Sequence, residues 1–164
     1  MRRRSDDDKP LPSAYQKALG LLTRREHSAR ELSRKLGQTG YSAEEAGEAV
    51  SRLQSQSFQS DTRFVESLIR TRAGQGYGPR RVLAELRTHS VGDEIARQAI
   101  AESGVDWADL AQRQYRRRYG SRAAGDRAET ARRAAFLLRR GFDAATVRAI
   151  THADDVDDSA DEFD

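Results

Sequence analysis

The 164-residue sequence contains no cysteine, so neither a disulfide framework nor a thiolate metal site is open to it. That absence fits a reducing compartment. No apolar run approaches the roughly 20 residues needed to cross a bilayer. The opening Met1-Arg2-Arg3-Arg4-Ser5-Asp6-Asp7-Asp8 lacks the apolar stretch of a signal peptide. A cytoplasmic protein without membrane contact is the expectation. β-branched runs and polar/apolar alternation are missing as well, which leaves a sheet without support. Lysine is scarce, with 3 against 26 arginines, and part of that bias can be compositional rather than functional. With 37% hydrophobic and 34% charged residues, the apolar supply is thin for one deep core. Small modules sharing short helix–helix contacts suit it better.

The groups that carry catalysis are equally sparse. His27, His89 and His152 are far apart and stand in no metal-ligand spacing. His27 and His89 adjoin helix boundaries and read as surface histidines. Gly74-x-Gly76-x-Gly78 resembles a phosphate-cradling loop, but no strand precedes it and no lysine follows. Glu44-Glu45 and Asp93-Glu94 fall in first turns of expected helices, where they complement the helix dipole. No nucleophile has a base beside it. The sequence therefore predicts a protein that is not an enzyme and holds no cofactor or metal.

What the chain does contain is a repeat. Ser28-Ala29-Arg30-Glu31-Leu32, Leu36, Gly40-Tyr41-Ser42, Ala46 and Val50 recur 50 residues later as Gly78-Pro79-Arg80-Arg81-Val82, Leu86, Ser90-Val91-Gly92, Ala96 and Ile100. A looser copy runs through Asp126, Glu129, Leu137-Leu138, Gly141-Phe142-Asp143, Val147 and Ile150. Each copy reads as three helices. Ser13 caps the first helix, with Ala14, Tyr15, Ala18, Leu19 and Leu22 on its apolar face. Ser28 with Glu31 and Ser42 with Glu45 form capping boxes. Asp61 precedes Phe64, Val65, Leu68 and Ile69, and Pro79 sits in a first turn, where proline is best tolerated. Asp106, Asp126 and Asp143 open the last three helices.

The expected fold is all-α, with three tandem three-helix repeats in an elongated, curved body. The expected domains are repeats at 13–59, 60–106 and 107–151, flanked by disordered tails at 1–12 and 152–164. Helices this short, roughly 10–14 residues, hold only when packed.

Charge is distributed unevenly. Residues 107–151 hold eleven arginines against four acids, whereas 152–164 hold seven acids and no base. The basic candidates for a partner surface are Arg24-Arg25, Arg72 with Tyr77 and Arg80-Arg81, Arg116-Arg117-Arg118, and Arg139-Arg140. Arginine donates two parallel hydrogen bonds to phosphate or carboxylate alike. Tyr115 and Tyr119 add stacking surfaces beside the 116–118 run. Charge runs on helices are also commonly just solvated faces, and dipole complementation alone could explain Arg139-Arg140. No position carries a readout pattern for particular bases, so a nucleic-acid contact would be mainly to backbone and salt-sensitive.

Arg24-Arg25-Glu26 before Ser28-x-x-Glu31-Leu32, the stretch Arg72-Ala73-Gly74-Gln75-Gly76-Tyr77-Gly78-Pro79-Arg80-Arg81-Val82 with Glu85-Leu86, and Phe136-Leu137-Leu138-Arg139-Arg140-Gly141-Phe142 resemble the RecX family of bacterial recombination regulators. The resemblance covers residues 13 to 151, in the family's order. It implies a negative modulator of RecA that binds the RecA filament on DNA along its groove, blocks filament growth, and depresses ATP hydrolysis and strand exchange. Weak contact to single- and double-stranded DNA without sequence preference, and action as a monomer, complete the expectation. A direct nucleic-acid-binding module, using three-helix units as readers, is the alternative. The acidic stretch after Thr151 departs from the family's ending.

Overall fold

The computed structural model describes residues 11–152, and the expectations for most of the two tails lie outside them. Among the described residues there are nine helices and no strand. They are α1 (Ala14–Leu22), α2 (Ala29–Gln38), α3 (Ala43–Ser55), α4 (Asp61–Gly74), α5 (Pro79–Thr88), α6 (Asp93–Glu102), α7 (Trp107–Tyr119), α8 (Arg127–Arg139) and α9 (Ala144–Thr151). No helix among them is long and apolar enough to cross a membrane. The chain falls into two compact units that divide between Phe64 and Val65.

In the first unit, α1, α2 and α3 bury Ala18, Leu32, Leu36, Ala46, Ala49, Val50 and Leu53 together, with Tyr15, Leu19, Leu22 and Tyr41 packed at the edge. The Ser13 hydroxyl accepts from the Gln16 N–H while the Gln16 side chain accepts from the Ser13 N–H. Ser42 and Glu45 close the same reciprocal box, as their spacing predicts. At α2 the Ser28 hydroxyl takes the Glu31 N–H, but the Glu31 carboxylate is drawn to cations. The Arg25 fork grips both its oxygens at 2.5 and 3.1 Å, and Lys35 Nζ lies 3.3 Å away.

This group corrects the reading of His27 as a surface residue: its ring is 2% exposed. Nδ1 lies 3.0 Å from the Arg25 carbonyl, which can only accept, so Nδ1 carries the proton. Nε2 is then free to accept from the Lys35 ammonium at 3.3 Å. A neutral imidazole with both nitrogens bonded is cheap to bury. Burial lowers its pKa, against the smaller upward pull of the Arg25 carbonyl and Glu31. The unit takes in the first turn of α4 because that segment bonds back to it. Gln59 donates to the His27 carbonyl, Asp61 accepts from the Ala29 N–H, and Arg63 pairs with Glu26.

In the second unit, α7, α8 and α9 bury Leu110, Ala111, Ala134, Leu137, Phe142, Ala144 and Val147, and Ala73 near the end of α4 joins them. Val82, Leu86 and Ala96 are fully covered on α5 and α6. The repeat has a geometric counterpart at the end of each domain's second helix. The N–H groups of Tyr41, Val91 and Phe142 reach back to the carbonyls of the buried Leu36, Leu86 and Leu137 at 3.2, 3.2 and 3.3 Å. The preceding residues Gly40, Ser90 and Gly141 have φ of 99°, 61° and 90°. This is the six-residue helix stop that needs one left-handed residue.

Candidate partner-binding surface

Within the second unit, the glycine-rich segment after α4 meets the turn after α8. The N–H groups of Gly78 and Arg80 donate to the carbonyls of Arg140 and Gly141 at 2.7 and 3.0 Å. The Arg140 and Gly141 carbonyls in the turn after α8 are thus satisfied by N–H groups at the start of α5. The approach requires both glycines. A Cβ on Gly78 would strike the backbone of Gly141, and one on Gly141 would lie 2.6 Å from the Arg81 nitrogen. Gly76, at φ 81°, is roofed by the Gln114 side chain. The glycine spacing that resembles a phosphate loop serves close backbone packing instead, and the N–H groups such a loop would offer are already used.

This clasp sets up a line of alternating guanidinium groups and rings. Arg81 lies 4.2 Å from the centre of the Tyr77 ring, and Arg140 approaches the same ring at 5.2 Å. Arg140 and Arg118 both contact Phe136, at 5.6 and 4.8 Å. Arg118 and Arg133 then share Tyr119 at 5.7 and 4.8 Å, and Arg133 reaches Tyr115 at 5.7 Å. Tyr119 meets Phe136 edge-on, as ring quadrupoles prefer. Each cation–ring contact is worth about 0.5–1 kcal/mol at an exposed site and more when water is excluded.

The line has an anchored end and a charged end. Arg133 is buried, bonded to Glu129, to the Tyr115 hydroxyl at 2.8 Å and to the Arg122 carbonyl at 2.7 Å. Arg140 donates to the Gln75 carbonyl at 3.0 Å, a neutral acceptor. Arg81 and Arg118 are exposed and meet no carboxylate among the described residues. A ring orients a guanidinium without neutralising it, so three cations here keep their charge available to an outside anion.

The sequence candidates are thus separated by environment. Tyr77, Arg81, Arg118 and Arg140 come together in the line. Arg116, Arg117 and Arg139 are exposed on the same two helices and form no ion pair with described residues. Arg80, half-buried, stands close enough to influence Asp143. Burial works against that carboxylate, yet the Thr146 N–H and hydroxyl and the Arg80 charge hold its pKa below the usual range. Arg72 is committed internally, its fork bonded to both oxygens of Glu85 at 2.6 Å, which raises its pKa further. Arg24 and Arg25 belong to the first unit, where Arg24 is exposed and Arg25 holds Glu31. Sequence reasoning missed Arg133 and Phe136. Their signal was present: Glu129, Arg133, Phe136 and Arg140 follow the 4-3-4 spacing of one helix face.

Models of a known family match this chain three times. Residues 14–53 match the RecX first three-helix domain, 60–100 the second and 105–151 the third. The chain belongs to the RecX family. The regulatory protein RecX of Xanthomonas axonopodis pv. citri (strain 306) is 42% identical over 158 residues, covering 91% of this chain and 98% of that protein. The RecX of Stenotrophomonas maltophilia (strain R551-3) is also 42% identical, over 93% of this chain and 91% of its own length. Solved RecX structures share the fold at 21% identity. That from Lactobacillus salivarius has a TM-score of 0.66 over 85% of this chain and 92% of its own. A second has a TM-score of 0.70 over 85% of this chain and 70% of its own. Relative to the RecX domains, the clasp joins the second to the third, and the charged line runs from the start of α5 through both long helices of the third.

Proposed function

We propose that this protein is a negative modulator of RecA that acts without catalysis. It binds the RecA–DNA filament along its groove, blocks filament extension, and depresses ATP hydrolysis and strand exchange. Membership of the RecX family across all three domains carries this reading. The working domains are 13–59, 60–106 and 107–151, in a cytoplasmic monomer. A row of small modules suits a filament, since linked weak contacts to successive protomers give avidity without one strong site. The surface engaged comprises Arg24, Arg25, Arg72, Tyr77, Arg80, Arg81, Arg116, Arg117, Arg118, Arg139 and Arg140. Arg81, Arg118 and Arg140 lead it because their charge is not spent internally, while Arg25 and Arg72 position their neighbours.

The test is RecA-catalysed strand exchange and DNA-dependent ATP hydrolysis with increasing amounts of this protein. Both rates fall well below one molecule per RecA protomer if the reading is right; rates unchanged at equimolar protein overturn it. Arg80→Glu with Arg81→Glu weakens the inhibition while the helical circular dichroism stays intact.

The cation–ring line also favours a second reading, direct binding of nucleic acid, since exposed arginines beside half-buried tyrosines suit single strands. That reading requires tight DNA binding without RecA and a steep salt slope. Weak binding without sequence preference leaves DNA as a subsidiary contact of the filament binder.

A further inference from the structure

Helix ends fray, and Arg116, Arg117 and Arg118 occupy the last turn of α7. All three are exposed, and Arg113 stands one turn before Arg117, a like-charged spacing that destabilises a helix. This turn needs a hold from elsewhere if its cations are to keep fixed positions. We propose that Arg133, buried on α8, is the positioning residue of the surface: it clamps the last turn of α7 and so fixes where Arg116, Arg117 and Arg118 stand. The clamp is a property of the free protein; its value for binding rests on the filament reading above.

The contacts of the Arg133 fork bracket the turn. One terminal nitrogen, Nη1, donates to the Tyr115 hydroxyl at 2.8 Å and to the Arg122 carbonyl at 2.7 Å. The guanidinium also lies 4.8 Å from the centre of the Tyr119 ring. Tyr115 and Tyr119 are one helical turn apart and Arg122 follows the end of α7, so these contacts fall on both sides of residues 116–118. Tyr119 carries Arg118 as well, at 5.7 Å, and its edge meets Phe136, over which Arg118 rests at 4.8 Å. A single ring therefore separates the buried cation from the exposed one.

The remainder of the fork is fixed within α8. Nε and Nη2 both donate to Glu129 Oε1, one turn back, at 3.1 and 2.5 Å. The other Glu129 oxygen accepts from the Gly125 N–H at 2.8 Å, which ties the segment between the helices to the same pair. The Gly125 N–H and Arg133 hold the Glu129 carboxyl below the usual carboxylate range, so the pair stays ionised. A cation that is only 2% exposed is costly unless paired and hydrogen-bonded. An apolar side chain would fill the site at less cost but could not reach Tyr115, Arg122 and Glu129 together. A planar fork reaches in all three directions, and a lysine ammonium has the charge without that shape.

Arg133→Lys tests shape against charge. Amide hydrogen exchange at Arg117, Arg118 and Tyr119 should accelerate about 10-fold, as expected for the loss of one or two net hydrogen bonds. The amides of Leu32 and Leu36, in the first unit, should keep their rates. Tyr115→Phe removes one hydroxyl and leaves the Glu129–Arg133 pair intact, so it reads the same turn even where the lysine variant fails to fold; about 3-fold acceleration is expected there. Unchanged rates in Arg133→Lys, or in Tyr115→Phe where the lysine variant does not fold, overturn the proposal.

Inhibition of strand exchange separates positioning from plain structural support. Arg133→Lys should weaken it about 3–10-fold in the native background and hardly at all where Arg116, Arg117 and Arg118 are already Gln. Equal losses in both backgrounds sink the positioning role. Should the native protein leave strand exchange untouched, the filament reading falls and the hydrogen-exchange rates alone decide the clamp. Native inhibition with unchanged hydrogen exchange keeps the filament reading and defeats the clamp.

Discussion

The first and third domains end their second helices with the same turn but set it in opposite surroundings. Gly40 has φ 99° and nothing within 4 Å of where a Cβ would stand; Gly141 has φ 90° and a backbone pressed against that position. Cations differ in parallel. Around α2, Arg25 and Lys35 gather on the buried Glu31 carboxylate, whereas Arg118 and Arg140, on α7 and just past the end of α8, gather on rings. Around α2 the cations are spent on a buried carboxylate, whereas Arg118 and Arg140 meet no carboxylate among the described residues. Shared positions build the module, and departures from the shared pattern build the junction and the surface.

The glycines give the sharpest way to break the comparison. Gly141→Ala combines left-handed strain with a collision against Arg81, for a cost of about 2–5 kcal/mol. Gly40→Ala meets only the strain, about 1–2 kcal/mol. Equilibrium denaturation of the two variants should differ in that order, and equal costs would mean the clasp yields without resistance. The loss of the clasp in Gly141→Ala should also shift the Tyr77 ring resonances in NMR spectra, since Arg81 and Arg140 both stack on that ring.

A second comparison tests how charge is spent. Glu31→Gln strands Arg25 and Lys35 without their carboxylate and removes charge-assisted hydrogen bonds at a 6% exposed site, for a cost of about 1.5–3 kcal/mol. Arg118→Gln removes an exposed cation that pairs with no described acid and should cost under about 1 kcal/mol of stability. Under the proposed function, its expected effect is weaker inhibition of strand exchange instead. A large stability loss in Arg118→Gln would show that the line is internal glue and not a surface.

Acid should separate the units too. His27 is held neutral by burial, with its pKa lowered in the folded state. An unfolded chain binds that proton more readily, so the contribution is present above the ordinary histidine value of 6.5 and is lost as pH falls through the folded pKa. Stability near α2 should therefore decline as pH drops below that value. His27→Gln, which keeps a donor and an acceptor, should flatten the dependence; an unchanged profile would assign it to carboxylates such as Glu31 and Asp143, whose lowered pKa values act at lower pH.

Helices, caps and core positions were largely legible in the sequence, because helical spacing and the Ser-x-x-Glu boxes are local signals. Leu32, Leu36, Val82, Leu86 and Leu137, all positions of the repeat, are fully buried. Expectations weakened where a residue's partner lies far along the chain. His27 looked like a surface residue because the Lys35 ammonium and the Arg25 carbonyl that satisfy it cannot be paired from spacing alone. The Glu31 box was diverted for the same reason. At the candidate surface, the arginine runs were visible, but Arg72 and Arg81 looked alike until Glu85 claimed one and Tyr77 the other. The glycine motif was legible only as an unsupported phosphate-loop pattern, because the Gly141 carbonyl that explains it lies 63 residues beyond Gly78.

The second domain supplies the smallest and most discriminating change. Its turn places Ser90 at φ 61°, where the other two domains have glycine. A non-glycine residue in the left-handed region costs about 1–2 kcal/mol, and glycine returns roughly 0.5–1 kcal/mol of that through its freer unfolded chain. Ser90→Gly should therefore stabilise the protein by about 0.5–1 kcal/mol, read as a higher denaturation midpoint with an unchanged slope. A destabilised variant would mean that the Ser90 side chain makes contacts worth more than its backbone strain. The second domain would then stop its helix by a different balance from the first and third, and the shared turn would be common in shape but not in energetics.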